Sequence, residues 1–176
     1  MIGSRVGIGY DIHPFAPPEA GRPLVLGGVT IPHPRGLAGH SDADVVLHAV
    51  CDAILGAIGC GDLGGRFPDT DPGNEGASSV EFLRAAAATM SGRGFKVCNL
   101  DVVVVAEEPK IAPHVPAMKT LIARALGAPE DRISIKAKRP ERLGALGRGE
   151  GIACESVILL GHRGAIARLK ALLRRG

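Results

Sequence analysis

The chain has no tryptophan and only five other large aromatic rings, four Phe and one Tyr, in 176 residues. That scarcity argues against nucleic-acid binding, which uses such rings to stack bases beside a basic groove. No charge surplus supplies the groove either. The net charge is +3, but the last fourteen residues hold Arg163, Arg168, Lys170, Arg174 and Arg175 without an acid, leaving sixteen basic against eighteen acidic residues elsewhere. Cysteine is sparse: Cys51, Cys60, Cys98 and Cys154 form no CxxC pair, and each lies in or beside an apolar run. No disulfide framework is expected, and reduced thiols suit a cytoplasmic protein. No apolar run reaches the ~18 residues of a membrane span, and residues 1–6 lack the apolar stretch of a signal peptide.

What remains is a length suited to one domain that buries roughly 70% of its unfolded surface. Residues 5–13 alternate as a strand does, and residues 23–32 place apolar side chains around Gly27-Gly28 as a small hairpin. Over residues 41–58 the apolar positions Val45, Val46, Ala49, Val50, Ala53, Ile54, Ala57 and Ile58 recur at helical spacing. Residues 60–76 read as a loop, 78–91 and 116–126 as helices, and 95–106, 132–137 and 152–160 as strands. Gly127 closes the last helix. The mixed order predicts a single α+β domain over 1–161, a four-stranded mixed sheet with helices on one face. A basic extension over 162–176 follows, with Ile166, Leu169, Leu172 and Leu173 at the spacing of a solvated terminal helix.

Four segments carry chemistry. In Asp11-Ile12-His13 a carboxylate and an imidazole two residues apart share one face of a strand. An exposed polar edge is the plain alternative. In the segment from His40 to His48, Ser41 and Asp44 have capping spacing, which puts His40 and Ser41 where a helix N-terminus favours a phosphate. Asp44, His48 and Asp52 then lie at i, i+4 and i+8, either as a solvated stripe or as functional groups. If His48 faces Asp11 and His13, the two imidazoles and one carboxylate are the donor set of a catalytic zinc with an open position. The run Asp62-Leu63-Gly64, continuing to Phe67-Pro68-Asp69-Thr70-Asp71, is rich in turn formers and short acids that accept from sugar hydroxyls. Last, the glycines of 144–149 let backbone approach a ligand, and Arg148 can grip a phosphate. This is neither a Walker loop nor a Rossmann fingerprint, and Gly7-Ile8-Gly9 lacks the third glycine of the latter.

In this order, with Gly147-Arg148-Gly149-Glu150-Gly151 and Pro109-Lys110, the segments resemble the 2-C-methyl-D-erythritol 2,4-cyclodiphosphate synthase family. The resemblance implies a homotrimer with active sites at subunit interfaces. It implies zinc on Asp11, His13 and His48, and a second ion, Mg2+ or Mn2+, on Glu141 and the substrate phosphates. His40 and Ser41 would bind phosphate, Asp62, Leu63 and Gly64 the ribose, and the loop Phe67, Pro68, Asp69, Thr70 and Asp71 the erythritol side. Ala106-Glu107-Glu108-Pro109-Lys110-Ile111-Ala112 would form the cytosine pocket. Ile12 joins the substrate contacts through its motif. The implied reaction joins the 2-phosphate of a cytidine diphosphate substrate to its own β-phosphorus and expels CMP.

Lys138, Arg139 and Pro140 stand where the family is typically threonine-rich, and Ala145 where it often has a Phe on the trimer axis. His40 and Arg139 are the catalytic contacts that the resemblance implies. Ala145, Arg148 and Glu150 border an axial cavity that could hold an isoprenoid diphosphate. A trimeric protein that binds metal and cytidine nucleotide with lost or altered turnover is the alternative reading. A zinc deaminase is disfavoured by the missing His-x-Glu and Pro-Cys-x-x-Cys signature.

Overall fold

A computed structural model describes residues 3–164; the helix expected from Ile166 to Leu173 falls outside them. Strand β1 (Ser4–Pro14) leads into the hairpin of β2 (Leu24–Leu26) and β3 (Val29–Ile31). Helix α1 (Val45–Ala57) follows, then the one-turn α2 (Leu63–Arg66), α3 (Ser79–Gly92), β4 (Phe95–Val105) and α4 (Val115–Leu126). The chain closes with β5 (Ile133–Lys138), the one-turn α5 (Gly144–Gly147) and β6 (Gly151–His162). The main sheet has the order β1-β6-β4-β5, with β6 antiparallel to both neighbours and β5 parallel to β4, so it is mixed as expected.

The first helix begins later than its periodicity suggests. Ser41 does not cap it; Asp44 does, accepting from Val46 N at 3.1 Å and Leu47 N at 3.0 Å. The chain turns at Ala43, whose φ of 56° is incompatible with helix, so residues 41–44 form a bend ahead of α1. Asp44 is also no solvated stripe residue. It is fully buried and accepts two further N–H donors from the hairpin, Gly27 N at 2.8 Å and Gly28 N at 2.6 Å. Burial pushes its carboxyl up to about 6 against the pull of the Gly28, Leu47 and Gly27 amides. The loop expected over 60–76 contains α2 and the short 3-10 turn Pro72–Asn74, each started by an aspartate cap, Asp62 and Asp71.

Helix α1 lies across β1 and β6, α3 packs on α1, and α4 packs beside α3 and β5, so all three long helices cover one sheet face. Leu47, Ile54, Leu55, Leu83, Leu100, Ile122 and Ile152 are fully buried between the layers, each contributing about 1.5–3 kcal/mol by leaving water. The approach of α1 to β1 depends on two glycines. A Cβ built at Gly7 would stand 1.9 Å from Ala53 O, and one at Gly9 would stand 1.9 Å from Ala49 O. Backbone meets backbone there, so the next inward positions of β1, Asp11 and His13, emerge level with the first turn of α1. The opposite sheet face carries no helix among the described residues. Val6, Ile8, Tyr10, Ile12, Val157 and Leu159 are 38–66% exposed on it.

Candidate metal centre and substrate cavities

Strand alternation and the tight helix contact bring together the three donors the sequence singled out. Asp11 Oδ2 lies 2.9 Å from His13 Nε2 and 3.0 Å from His48 Nδ1, and the two imidazole nitrogens are 3.2 Å apart. Among the described residues no other three His, Cys, Asp or Glu side chains converge in this way. A tetrahedral zinc with bonds of about 2.0–2.1 Å needs donor separations of about 3.3 Å. These are close to that, so a divalent ion fits with a few tenths of an ångström of opening.

The far nitrogens of both rings are occupied. His13 Nδ1 donates to Ala38 O at 2.8 Å, and His48 Nε2 faces Ser79 Oγ at 2.9 Å and Ser41 Oγ at 3.2 Å. Such outer contacts hold a ligating ring in orientation and basicity. The charges are balanced within the triad. Burial alone would raise the Asp11 carboxyl, but hydrogen bonds and charge from His13 and His48 hold it well below the usual carboxylate range. Burial alone would lower His13, yet Asp11 raises it above its ordinary value of 6.5.

Beside the triad opens a cavity of about 400 Å³ lined by His40, Ser41, Leu63, Gly64, Phe67 and Asp69, together with Gly39, Asn74 and Phe82. Phe67 stacks on Phe82 with ring centroids 4.5 Å apart, which anchors the loop wall. His40 faces Asp71 O at 3.4 Å across the same loop. Asp62 caps α2 through Gly65 N at 2.7 Å, and Pro68, Thr70 and Asp71 are exposed at the loop surface. Ile12 points the other way, onto the uncovered sheet face.

A second cavity, of about 640 Å³, is formed by residues 106–113 after β4, by Ala137, Lys138 and Arg139 at the end of β5, and by His33. Glu107 organises its rim: it pairs with the Arg139 guanidinium and accepts from Arg142 N at 3.1 Å. Arg139 holds the Glu107 carboxyl below its ordinary value. Arg148 borders a smaller hollow of about 210 Å³ with Glu107, Glu108, Phe15 and Arg35, and pairs with Glu150 at 2.5 Å. Pro140 is half-buried, whereas Glu141, at φ 54°, and Ala145 on α5 are exposed. Glu141 does not join the triad.

The metal-side cavity and the 106–113 cavity share no lining residue. Sequence reasoning missed Ser79, His33, Asn74 and Phe82. His33 stacks on Phe15 at 5.0 Å and closes one side of the second cavity, a role no local motif announces.

A one-carboxylate, two-imidazole group that could hold a metal ion, beside a loop-walled cavity on a half-covered mixed sheet, is the arrangement of an α+β enzyme with a candidate metal centre. The chain belongs to the YgbB family, whose model matches residues 4–161. It is 56% identical over 156 residues to the 2-C-methyl-D-erythritol 2,4-cyclodiphosphate synthase of Geotalea uraniireducens, covering 89% of this chain and 98% of that one. Its identity to the enzyme of the same name from Burkholderia thailandensis is 53%, over 89% and 94% of the two chains. Among solved structures, the IspF protein of Plasmodium falciparum in complex with CDP superposes with a TM-score of 0.80 at 35% identity, covering 93% of this chain and 99% of that one. The bifunctional IspDF of Campylobacter jejuni gives a TM-score of 0.86 at 41% identity, but this chain spans only 43% of it. The family and the enzyme class expected from the motifs are borne out, and the enzyme reading stands over the binding-only alternative. Among the described residues no helix is long and apolar enough to cross a membrane.

Proposed function

We propose that the chain converts 4-diphosphocytidyl-2-C-methyl-D-erythritol 2-phosphate to 2-C-methyl-D-erythritol 2,4-cyclodiphosphate and releases CMP. The observation that carries this reading is the convergence of Asp11, His13 and His48 beside the cavity of His40 and Ser41. An oxygen of the 2-phosphate attacks the β-phosphorus of the same molecule, the bond from that phosphorus to the oxygen bridging it to the α-phosphate breaks, and CMP leaves with that oxygen. Two anionic groups must meet, so charge compensation and positioning supply most of the rate. When bound by Asp11, His13 and His48, zinc offers Lewis-acid neutralisation of phosphate charge. His40 and Ser41 orient the phosphate from the cavity wall, while Asp62, Leu63 and Gly64, with the loop Phe67, Pro68, Asp69, Thr70 and Asp71, enclose the sugars. Glu141 offers a single carboxylate, so Mg2+ or Mn2+ there depends on the substrate phosphates for its other ligands.

The cytidine is assigned to the cavity of residues 106–113, where Lys138 and Arg139 lie within reach of its phosphates. Because that cavity is separate from the metal side within one chain, a substrate touching both bridges two subunits. A homotrimer buries the uncovered sheet face of Val6, Ile8, Tyr10, Ile12, Val157 and Leu159, a run of exposed large apolar side chains of the kind that marks an interface. Ala145, Arg148 and Glu150 then border the axis, with an isoprenoid diphosphate as the axial ligand. A cytoplasmic location and a division into a synthase domain over 1–161 and a basic extension over 162–176 complete the reading.

The test is phosphorus NMR of the substrate incubated with the zinc- and magnesium-loaded protein. Cyclic diphosphate and CMP are expected, with no turnover in His13→Ala; a linear diphosphate, or substrate left intact by the wild type, refutes the assignment.

A further inference from the structure

One nitrogen of His48 faces the metal donors, and the nearest partner of the other is Ser79, a residue outside the substrate cavities. Ser79 opens α3 and is fully buried; its Oγ is 2.9 Å from His48 Nε2 and hydrogen-bonds the Asp42 carboxylate through Oδ1. Asp42 is itself fixed. Its Oδ2 accepts from Ser79 N at 3.0 Å, and its own N–H donates to Ala77 O at 3.0 Å.

A serine hydroxyl has one proton to give and two lone pairs. Beside a carboxylate, which can only accept, that proton goes to Asp42 in a charge-assisted bond. Ser79 Oγ is left to accept, and the donor is Nε2–H of His48. The imidazole is thereby set with its proton on Nε2 and its lone pair on Nδ1, aimed at the space between Asp11 Oδ2 and His13 Nε2. His13 needs no such relay, because Ala38 O is an acceptor by nature. For His48 the direction of the hydrogen bond is decided one residue further out, by a carboxylate in the bend before α1. Ser41 Oγ, at 3.2 Å, is a longer second partner to the same nitrogen and accepts from Ala43 N at 3.3 Å.

We propose that Asp42 and Ser79 are positioning residues that fix the Nε2–H tautomer and the ring orientation of His48, and so set the affinity of the metal centre. The inference rests on reading Asp11, His13 and His48 as metal donors. It ties that affinity to the docking of α3, the element that carries Ser79.

Two measurements test it. In metal-free wild type, the nitrogen-15 shifts of the His48 side chain are expected to show Nδ1 unprotonated and Nε2 protonated. Zinc affinity, measured by chelator competition, is expected to fall ten- to hundred-fold in Ser79→Ala and by a smaller factor in Asp42→Asn, the range for loss of an outer hydrogen bond to a ligating histidine. Ser41 Oγ remains as an acceptor in both, so each loss stays partial, and Asp42→Asn shifts the tautomer population without emptying a cavity. A wild-type His48 with its proton on Nδ1 overturns the inference whatever the variants do. Folded variants with wild-type zinc affinity overturn it as well. A wild type that binds no zinc while His48 shows the Nε2–H form overturns the metal-centre reading and leaves the tautomer assignment standing, so the two failures are distinguishable.

Discussion

Replacing Gly9 by alanine probes the contact on which the metal centre depends. The added Cβ would stand 1.9 Å from Ala49 O, 2.8 Å from Ala53 N and 2.9 Å from Ala49 C. All three are backbone atoms of α1, so no side chain can rotate away. Restoring an approach of 3.0 Å, the shortest that real Cβ atoms show, moves the helix or the strand by at least about 1.1 Å. His48 precedes Ala49 directly and Asp11 lies two residues beyond Gly9, so the displacement falls on the triad. Donor separations of 2.9–3.2 Å would open to about 4 Å on the His48 side, well past the separation of about 3.3 Å between ligands of a tetrahedral ion with bonds of about 2.0–2.1 Å. Overpacking of this kind costs about 1–3 kcal/mol of stability, which lowers Tm by about 2–4 °C per kcal/mol for a domain of this size. A misplacement near 1 Å costs about a hundred-fold in rate. Calorimetric unfolding, zinc competition and CMP release measure the three effects together. A Gly9→Ala protein with wild-type Tm and wild-type zinc affinity refutes the claim that backbone contact between α1 and β1 places the donors.

The triad also predicts opposite pH trends for the metal-free and metal-bound protein. In the metal-free chain, the depressed Asp11 carboxyl stabilises the fold above its ordinary value of 3.8, and this is lost as pH falls further. The raised His13 stabilises below 6.5 and loses its contribution as pH rises through the folded value, so chelated protein gains most from this pair between those limits. Zinc requires the neutral imidazole, so its affinity is expected to fall about tenfold per pH unit once His13 is protonated; urea unfolding with chelator and zinc competition, each across pH 4–8, check the two directions. Ile8→Asp, on the uncovered sheet face and away from the cavities, is expected to convert the proposed trimer to monomers in sedimentation velocity and to reduce CMP release while zinc stays bound; an unchanged sedimentation coefficient counts against burial of that face.

Much of this protein was legible along the chain. The period-two pattern of β1 and the 3.6-residue pattern of α1 follow from side-chain geometry within a few residues, and they placed Asp11 with His13 on one face and His48 on a helix. The order of the motifs carried the resemblance to the family, and some of their residues, such as the caps Asp62 and Asp71, also answer a local demand of the backbone. The start of α1 was not legible. Ser41 and Asp44 both have capping side chains, and the choice was made by Ala43 turning to positive φ while two hairpin amides, from Gly27 and Gly28, converged on Asp44.

The residues that hold the site in place were legible still less. Gly7 and Gly9 read as a failed dinucleotide fingerprint, and only the packed layers show them as the seat of α1. Ser79 looks in sequence like any residue after a helix cap, and becomes a contact of His48 because α3 docks across α1. Local sequence determines which face a side chain takes, since that is a property of the backbone period. Which remote group meets it, at what distance and with which proton, depends on how whole layers pack, and that was decided by the tertiary structure alone.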